Sequence, residues 1–183
     1  IVSAFTVWEG RNNKIYPIDV IPITHLNLGG LWNKYTAQVF GLSIGAPKGS
    51  QVGTVMGMAA LGNPDTFKEN WRDINLMKQK ADESEQNQFD IAATLQQYTE
   101  TIIQEKIGYY LESHPNQNLC LSGGVALNCV AVGKISTWYP KLKTVYVDPV
   151  PYDGGLSLGS ARYVWHHILD NPRIQWIDNA SSY

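Results

Sequence analysis

Asn118-Leu-Cys-Leu-Ser-Gly-Gly-Val-Ala-Leu-Asn128 is the stretch on which the fold turns. Leu119, Cys120 and Leu121 make a short apolar run of buried-strand character. Ser122-Gly-Gly124 interrupts it, and a helical pattern runs from about Ala126 to Trp138 until Pro140 ends it. About thirty residues on, the same order returns. Val145-Tyr-Val147 is a second buried-strand candidate, and Asp148-Pro-Val-Pro-Tyr-Asp-Gly-Gly155 is a loop. A last helix, about Leu156 to Leu169, carries Leu158, Ala161, Trp165 and Ile168 at core spacing. Strand, turn and helix twice in succession imply an α/β layer with a parallel portion.

The rest of the chain fits around these two units. Thr6-Val-Trp8 and Ile15 to Ile21 are rich in β-branched and aromatic residues, and Glu9-Gly-Arg-Asn-Asn13 between them is a turn cluster, so the N-terminus reads as a hairpin. From Leu28 the period becomes helical, with Leu28, Leu31, Tyr35 and Val39 on one face and Gly41 as its stop. A Gly-rich connection, Gly45 to Gly53, leads to a compact segment, Val55 to Leu61, closed by Gly62-Asn-Pro64. Lys78 to Gln88 is polar and charged and reads as an exposed loop or insertion, including the acidic run Asp82-Glu-Ser-Glu85. A long helix follows, roughly Phe89 to Leu111, with Ala92, Leu95, Thr99, Ile102, Lys106 and Tyr109 along one side and Pro115 beyond its end.

Both strand–turn–helix junctions place glycine where a helix begins. A helix N-terminus offers unpaired N–H groups and the positive end of the dipole, which favour anions such as phosphate. Glycine lets a ligand approach the backbone closely. Either junction alone reads equally well as a tight turn. Two in one α/β half-domain favour a nucleotide site, with Gly123, Gly124, Gly154 and Gly155 as candidate binding residues. Asp153 reads either as an N-cap of the last helix or as a ligand for a metal beside a phosphate, and spacing alone favours the cap. Asn128 reads either as a surface amide or as a group that hydrogen-bonds a base or sugar.

Composition narrows the classes. The 183 residues are 44% hydrophobic and 16% charged, the balance of a globular protein. A net charge of −2 gives no general attraction to nucleic acid or anionic membrane. No apolar run approaches the ~18 residues of a membrane span. Cys120 and Cys129 form no C-x-x-C pair and read as buried free thiols of a reducing cytoplasm. His166 and His167 are adjacent and so diverge on a helix, while His25 and His114 have no partner at ligand spacing. All four histidines are expected to be structural or solvent-facing. The six tryptophans are dispersed, as core residues are, rather than grouped as a base-stacking platform. The chain opens at Ile1 in a strand-like run and closes on a polar tail, which reads as a piece of a longer protein.

Leu119-Cys-Leu-Ser-Gly-Gly-Val-Ala-Leu-Asn-Cys-Val-Ala131, with Gly133-Lys-Ile135, resembles the signature of the NodU/CmcH-type O-carbamoyltransferases. Val147-Asp-Pro-Val-Pro-Tyr-Asp-Gly-Gly-Leu-Ser-Leu-Gly-Ser-Ala161 is similar to a second signature of that family, and Val52-Gly-Thr-Val-Met-Gly-Met-Ala-Ala-Leu-Gly62 to a third. Thr54 stands where the family pattern has lysine, and Leu61 where it has tyrosine. The resemblance implies a ribonuclease-H-like subdomain of the actin-like (sugar-kinase and heat-shock-chaperone) fold, with a mixed sheet and flanking helices. Residues 1–170 would be the C-terminal subdomain of the carbamoyl-transfer domain, and 171–183 the start of a linker to a further domain.

The activity so implied moves a carbamoyl group from carbamoyl adenylate, made from carbamoyl phosphate and ATP, to a hydroxyl of a small molecule. In the family an iron-type divalent metal is held by two histidines and an aspartate. The aspartate corresponds to Asp153, and the histidines would lie before Ile1. Gly123 and Gly124 would sit against the nucleotide, and Asn128 would reach the adenosine. Taken alone, the chain is expected to be inactive and to self-associate through an apolar face. The competing expectations are a sugar or acyl phosphotransferase of the same superfamily and a non-catalytic nucleotide-binding or scaffold module.

Overall fold

A computed structural model describes residues 3–42 and 51–173. The order is β1 (Ser3–Arg11), β2 (Lys14–Pro22), α1 (Leu28–Lys34), α2 (Val52–Ala59), α3 (Ile74–Glu83), α4 (Glu85–Ser113), β3 (Asn118–Leu121), α5 (Cys129–Trp138), β4 (Thr144–Val147) and α6 (Leu156–Arg162). α1 and α6 continue into π-helical turns, Tyr35–Val39 and Tyr163–Ile168. β1 pairs with β2 and β3 with β4, in separate two-stranded sheets. The expected α/β class holds, as an arrangement of helices with two small sheets. The Gly45–Gly53 connection lies mostly outside the described residues.

The chain divides into two compact units. Residues 28–42, 51–119 and 128–145 form the helical one. Its core is Trp32, Tyr35, Val39, Val55, Met77, Ala81, Ile91, Ala92 and Leu95. The helical period read from Leu28 therefore marks a true core face, and Gly41 closes it with φ +65, a left-handed conformation suited to glycine. The polar atoms carried into this core are satisfied. The Trp32 indole donates to Thr99 Oγ1 at 2.9 Å, and the Tyr35 hydroxyl donates to the Trp71 carbonyl. Burial pushes the Tyr35 phenol well above its usual value.

The segment Lys78–Gln88 is not a loop. Asp73 caps α3 by accepting from the Asn75 and Leu76 N–H groups, both at 3.0 Å. Met77 and Ala81, one turn apart, are buried, so the charges fall on the outer face. Ser84 then caps α4 by accepting from the Asn87 N–H at 3.1 Å, which starts that helix one turn earlier than its periodicity suggests. Residues Asp90 to Gln96 are buried without a break, so α4 is enclosed on all sides there, while Tyr109, expected on the inner face, is 64% exposed.

Asp90 fastens the Gly62–Thr66 turn to α4. Its carboxylate accepts from the Asn63 N–H at 2.8 Å, Gln86 Nε2 at 2.9 Å and Thr66 Oγ1 at 2.9 Å. Burial alone would raise this carboxyl, but the three hydrogen bonds outweigh it and hold the group below the usual carboxylate range. A Cβ on Gly62 would run into the Phe89 carbonyl, so this turn needs glycine for its close approach.

The other unit takes residues 3–27, 120–127 and 146–173. The hairpin is tighter than its turn cluster suggests, because Arg11 already pairs with Lys14 and Asn12 adopts φ +53. β2 is tied to the last helical segment. The Ile15 N–H donates to His167 Nδ1 at 3.0 Å, and His167 stacks on Tyr163 at 4.5 Å. His167 is thus structural, as its sequence position suggests, and His166 Nδ1 meets the Asn171 carbonyl at 3.1 Å.

Three expectations for this part of the chain are corrected. β3 and β4 alternate between exposed and half-buried positions, so each leaves one face open and neither is a buried strand. Cys120 and Cys129 are free but exposed. Leu158, Ala161, Trp165 and Ile168 share a helical spacing, yet none is buried among the described residues.

Candidate functional site

The two glycine junctions meet around one cleft. The Gly123 N–H donates to the Pro151 carbonyl at 2.5 Å, and Ser122 Oγ donates to the same oxygen at 3.3 Å. The turn after β3 is thereby pinned to the loop after β4, two residues before Asp153. Gly123 has φ +97, a conformation L side chains rarely adopt. On the other side, Asp153–Gly155 is a short 3₁₀ turn closed by the Gly155 N–H on the Tyr152 carbonyl at 2.8 Å. A Cβ on Gly155 would collide with the Val150 carbonyl. Gly123 and Gly155 therefore serve by shape, since both of their N–H groups are spent inside the protein.

The cleft between these turns has a volume of about 640 Å3. Gly123, Asp153 and Gly155 line it, as do residues the sequence did not single out, among them Tyr146, Tyr152 and Arg162. Gly124 and Gly154 belong to the same two turns without lining the cleft. A Cβ on Gly124 would meet nothing within 4 Å, so the backbone there is open to approach. A Cβ on Gly154 would come within 3.0 Å of the Tyr152 ring.

Asp153 is not the helix cap that its spacing favours. Gly155 occupies the cap position of α6, and no side chain caps that helix. The Asp153 carboxylate is exposed and takes no hydrogen bond or ion pair among the described residues. An exposed carboxylate beside a cleft suits a divalent cation as one oxygen ligand. No cluster of three or more metal-ligating side chains occurs among the described residues. Nearby, Asp148 is committed, with Oδ1 accepting from the Val150 N–H at 3.1 Å and Oδ2 from Arg162 at 2.9 Å. No spacing rule in the sequence signals this pair, because it joins the end of a strand to the far end of the next helix.

Asn128 belongs to the helical unit and is buried rather than a surface amide. Its Oδ1 caps α5 by accepting from the Ala131 N–H at 3.1 Å. The orientation of its amide follows from a chain of partners. Lys134 pairs with the Glu100 carboxylate at 2.6 Å. Glu100, which can only accept when ionised, draws the Gln96 amide nitrogen to 2.8 Å. Gln96 Oε1 must then face Asn128, whose Nδ2 donates to it at 2.8 Å. The adenosine contact expected of Asn128 thus falls on a side chain whose oxygen and one N–H are already engaged.

Comparison with known proteins gives these residues a context. The family described as Carbamoyltransferase N-terminus matches residues 65–162, just over half of the chain. The chain is 29% identical over 204 aligned residues to an uncharacterized protein of Synechocystis sp., sll1178, covering 92% of this chain and 32% of that protein. It is 27% identical over 134 residues to the nodulation protein NolO of Bradyrhizobium diazoefficiens, covering 60% of this chain and 24% of NolO. The chain therefore spans about a third or less of the length of these relatives. The matched residues take in both glycine junctions, α4 and Arg162, and leave out the hairpin and the Val52–Gly62 segment.

Proposed function

The chain belongs to the carbamoyltransferase family, and from that membership we propose that its cleft holds the nucleotide part of carbamoyl adenylate. The fold we propose for the complete domain is the actin-like one, of which this chain supplies a ribonuclease-H-like part. The reaction is transfer of a carbamoyl group to a hydroxyl of a small molecule, with the adenylate formed from carbamoyl phosphate and ATP. The observation that carries this reading is the carboxylate of Asp153, without a partner among the described residues, beside a cleft shaped by Gly123 and Gly155.

In this reading Asp153 is one ligand of a divalent, iron-type metal, with two histidine ligands from outside the chain. Bound there, the metal would polarise the carbamoyl carbonyl and offset the charge of the departing adenylate. The chain's own residues hold and shape. Gly123 keeps the backbone clear for a nucleotide, Gly155 lets the Val150 carbonyl pack against the Asp153 turn, and Gly124 leaves the turn it begins open to approach. Tyr146 and Tyr152 line the cleft and supply aromatic surface for a base. Transfer of a carbamoyl rather than a phosphoryl group is favoured by the family match. Because the chain spans 32% of one relative and 24% of the other, we propose that by itself it binds ligand without turning it over.

The test compares ligands. A stable carbamoyl-adenylate analogue and ATP are titrated, with and without ferrous iron, into a protein that carries this chain together with the two proposed histidine ligands, as wild type and Asp153→Asn. The proposal predicts that the analogue binds more tightly than ATP and that iron strengthens both, with the iron effect lost in Asp153→Asn. Binding of ATP with no preference for the analogue and no dependence on Asp153 would point to phosphotransfer or a passive nucleotide module.

A further inference from the structure

Arg162 is the one cation among the described residues that line the cleft. Its guanidinium carries five N–H donors in a rigid fork, and the structure engages it through Nη1 alone, on Asp148 Oδ2 at 2.9 Å. Asp148 is fixed in turn by the Val150 N–H, so it holds the arginine in place without covering the fork. The arginine side chain is 54% exposed and its remaining donors have no partner among the described residues. Leu121, Val150, Leu156 and Leu158 give the same cleft apolar lining.

We propose that Arg162, positioned by Asp148, is the phosphate-binding group of this cleft. It takes an oxygen of a phosphoryl group by charge-assisted hydrogen bonds. The proposal rests on the reading of the cleft as a nucleotide site but adds a residue and a ligand group to it. Three ligands of the proposed reaction carry that chemistry: carbamoyl adenylate, ATP and carbamoyl phosphate. If Arg162–Asp148 were only a surface ion pair, it would contribute little to stability and nothing to ligand choice.

The experiment titrates ATP, adenosine and carbamoyl phosphate separately into wild type, Arg162→Ala, Arg162→Lys and Asp148→Asn, with circular dichroism to confirm that each variant is folded. The expected result is an ATP affinity about 10-fold lower in Arg162→Ala, with adenosine affinity unchanged. Arg162→Lys keeps the charge but loses the fork and falls between. Asp148→Asn weakens ATP less than Arg162→Ala does. A parallel loss for carbamoyl phosphate extends the site to that ligand, and an unchanged value restricts it to the nucleotide. Equal ATP affinity in wild type and Arg162→Ala overturns the proposal, as does an equal loss for ATP and adenosine. If wild type binds carbamoyl phosphate through Arg162 but neither ATP nor adenosine, the phosphate site stands and the nucleotide reading falls. If wild type binds none of the three, both fall.

Discussion

Replacing Asn128 with alanine should cost the helical unit far more than an ordinary surface substitution. Two separate losses combine. The first is the cap, since the Ala131 N–H loses the acceptor now at 3.1 Å, worth about 1 kcal/mol. The second is the partner of Gln96. With Nδ2 gone, Gln96 Oε1 is left unsatisfied in a buried setting, at a cost of about 1–3 kcal/mol. Gln96 cannot turn over to repair this, because Glu100 accepts from its nitrogen at 2.8 Å and is itself held by Lys134. The total is about 2–4 kcal/mol, which at a urea dependence of about 2 kcal/mol per M lowers the midpoint by about 1–2 M. Urea titration followed by tryptophan fluorescence and circular dichroism reads this directly. Asn128→Ser keeps a cap and loses only the Gln96 partner, so it should fall between. Asn128→Asp keeps the cap oxygen but sets a carboxylate oxygen against Gln96 Oε1, and should fare worse than serine. An Asn128→Ala midpoint within about 0.2 M of wild type would refute the relay from Lys134 to the α5 cap.

Two further outcomes follow from the same structure. Asp90 has a folded-state value below the ordinary ~3.9, so its contribution is fully present above that value and is lost as pH falls through the lower folded value. Asp90→Asn should therefore be less stable than wild type by about 1–3 kcal/mol near neutral pH, with the gap closing in acid, and a gap unchanged between about pH 6 and pH 2.5 would contradict this. Gly155→Ala should destabilise its loop by about 1–3 kcal/mol, because its Cβ meets the Val150 carbonyl, whereas Gly124→Ala should stay within about 0.5 kcal/mol, and indistinguishable melting curves for the two would count against the close approach.

How much of this was legible beforehand depended on whether the deciding signal was local. The hairpin could be read because Asn12 and Asn13 carry the turn within two β-rich runs, and α1 because its apolar period ends at a glycine that must be left-handed. The α3 helix is not legible because charge dominates Lys78–Gln88, while its cap, Asp73, and its inward-facing Ile74, Leu76 and Met77 lie before that window, within which only Ala81 is buried. The last helix failed in the opposite sense. Periodicity identifies a face but not what covers it, and Leu158, Trp165 and Ile168 are exposed among the described residues. In the candidate site, the glycine pairs mark two turns, and Gly123, Asp153 and Gly155 line one cleft. The role of Asn128 was not legible, because it depends on Gln96 and Glu100, which lie about thirty residues earlier in the sequence. Arg162 was hidden for the same reason, its partner Asp148 being fourteen residues away.

The most direct test of the central claim is photolabelling with an azido derivative of ATP, followed by mapping of the tryptic peptides. The account predicts label in Thr144–Arg162, which carries β4, the Asp153 turn and α6, and in Ile107–Lys134, which carries the Ser122–Leu127 turn. That label should be displaced by a carbamoyl-adenylate analogue. Label concentrated on α3 or the N-terminal half of α4, or label that the analogue does not displace, would contradict the placement of the nucleotide in this cleft.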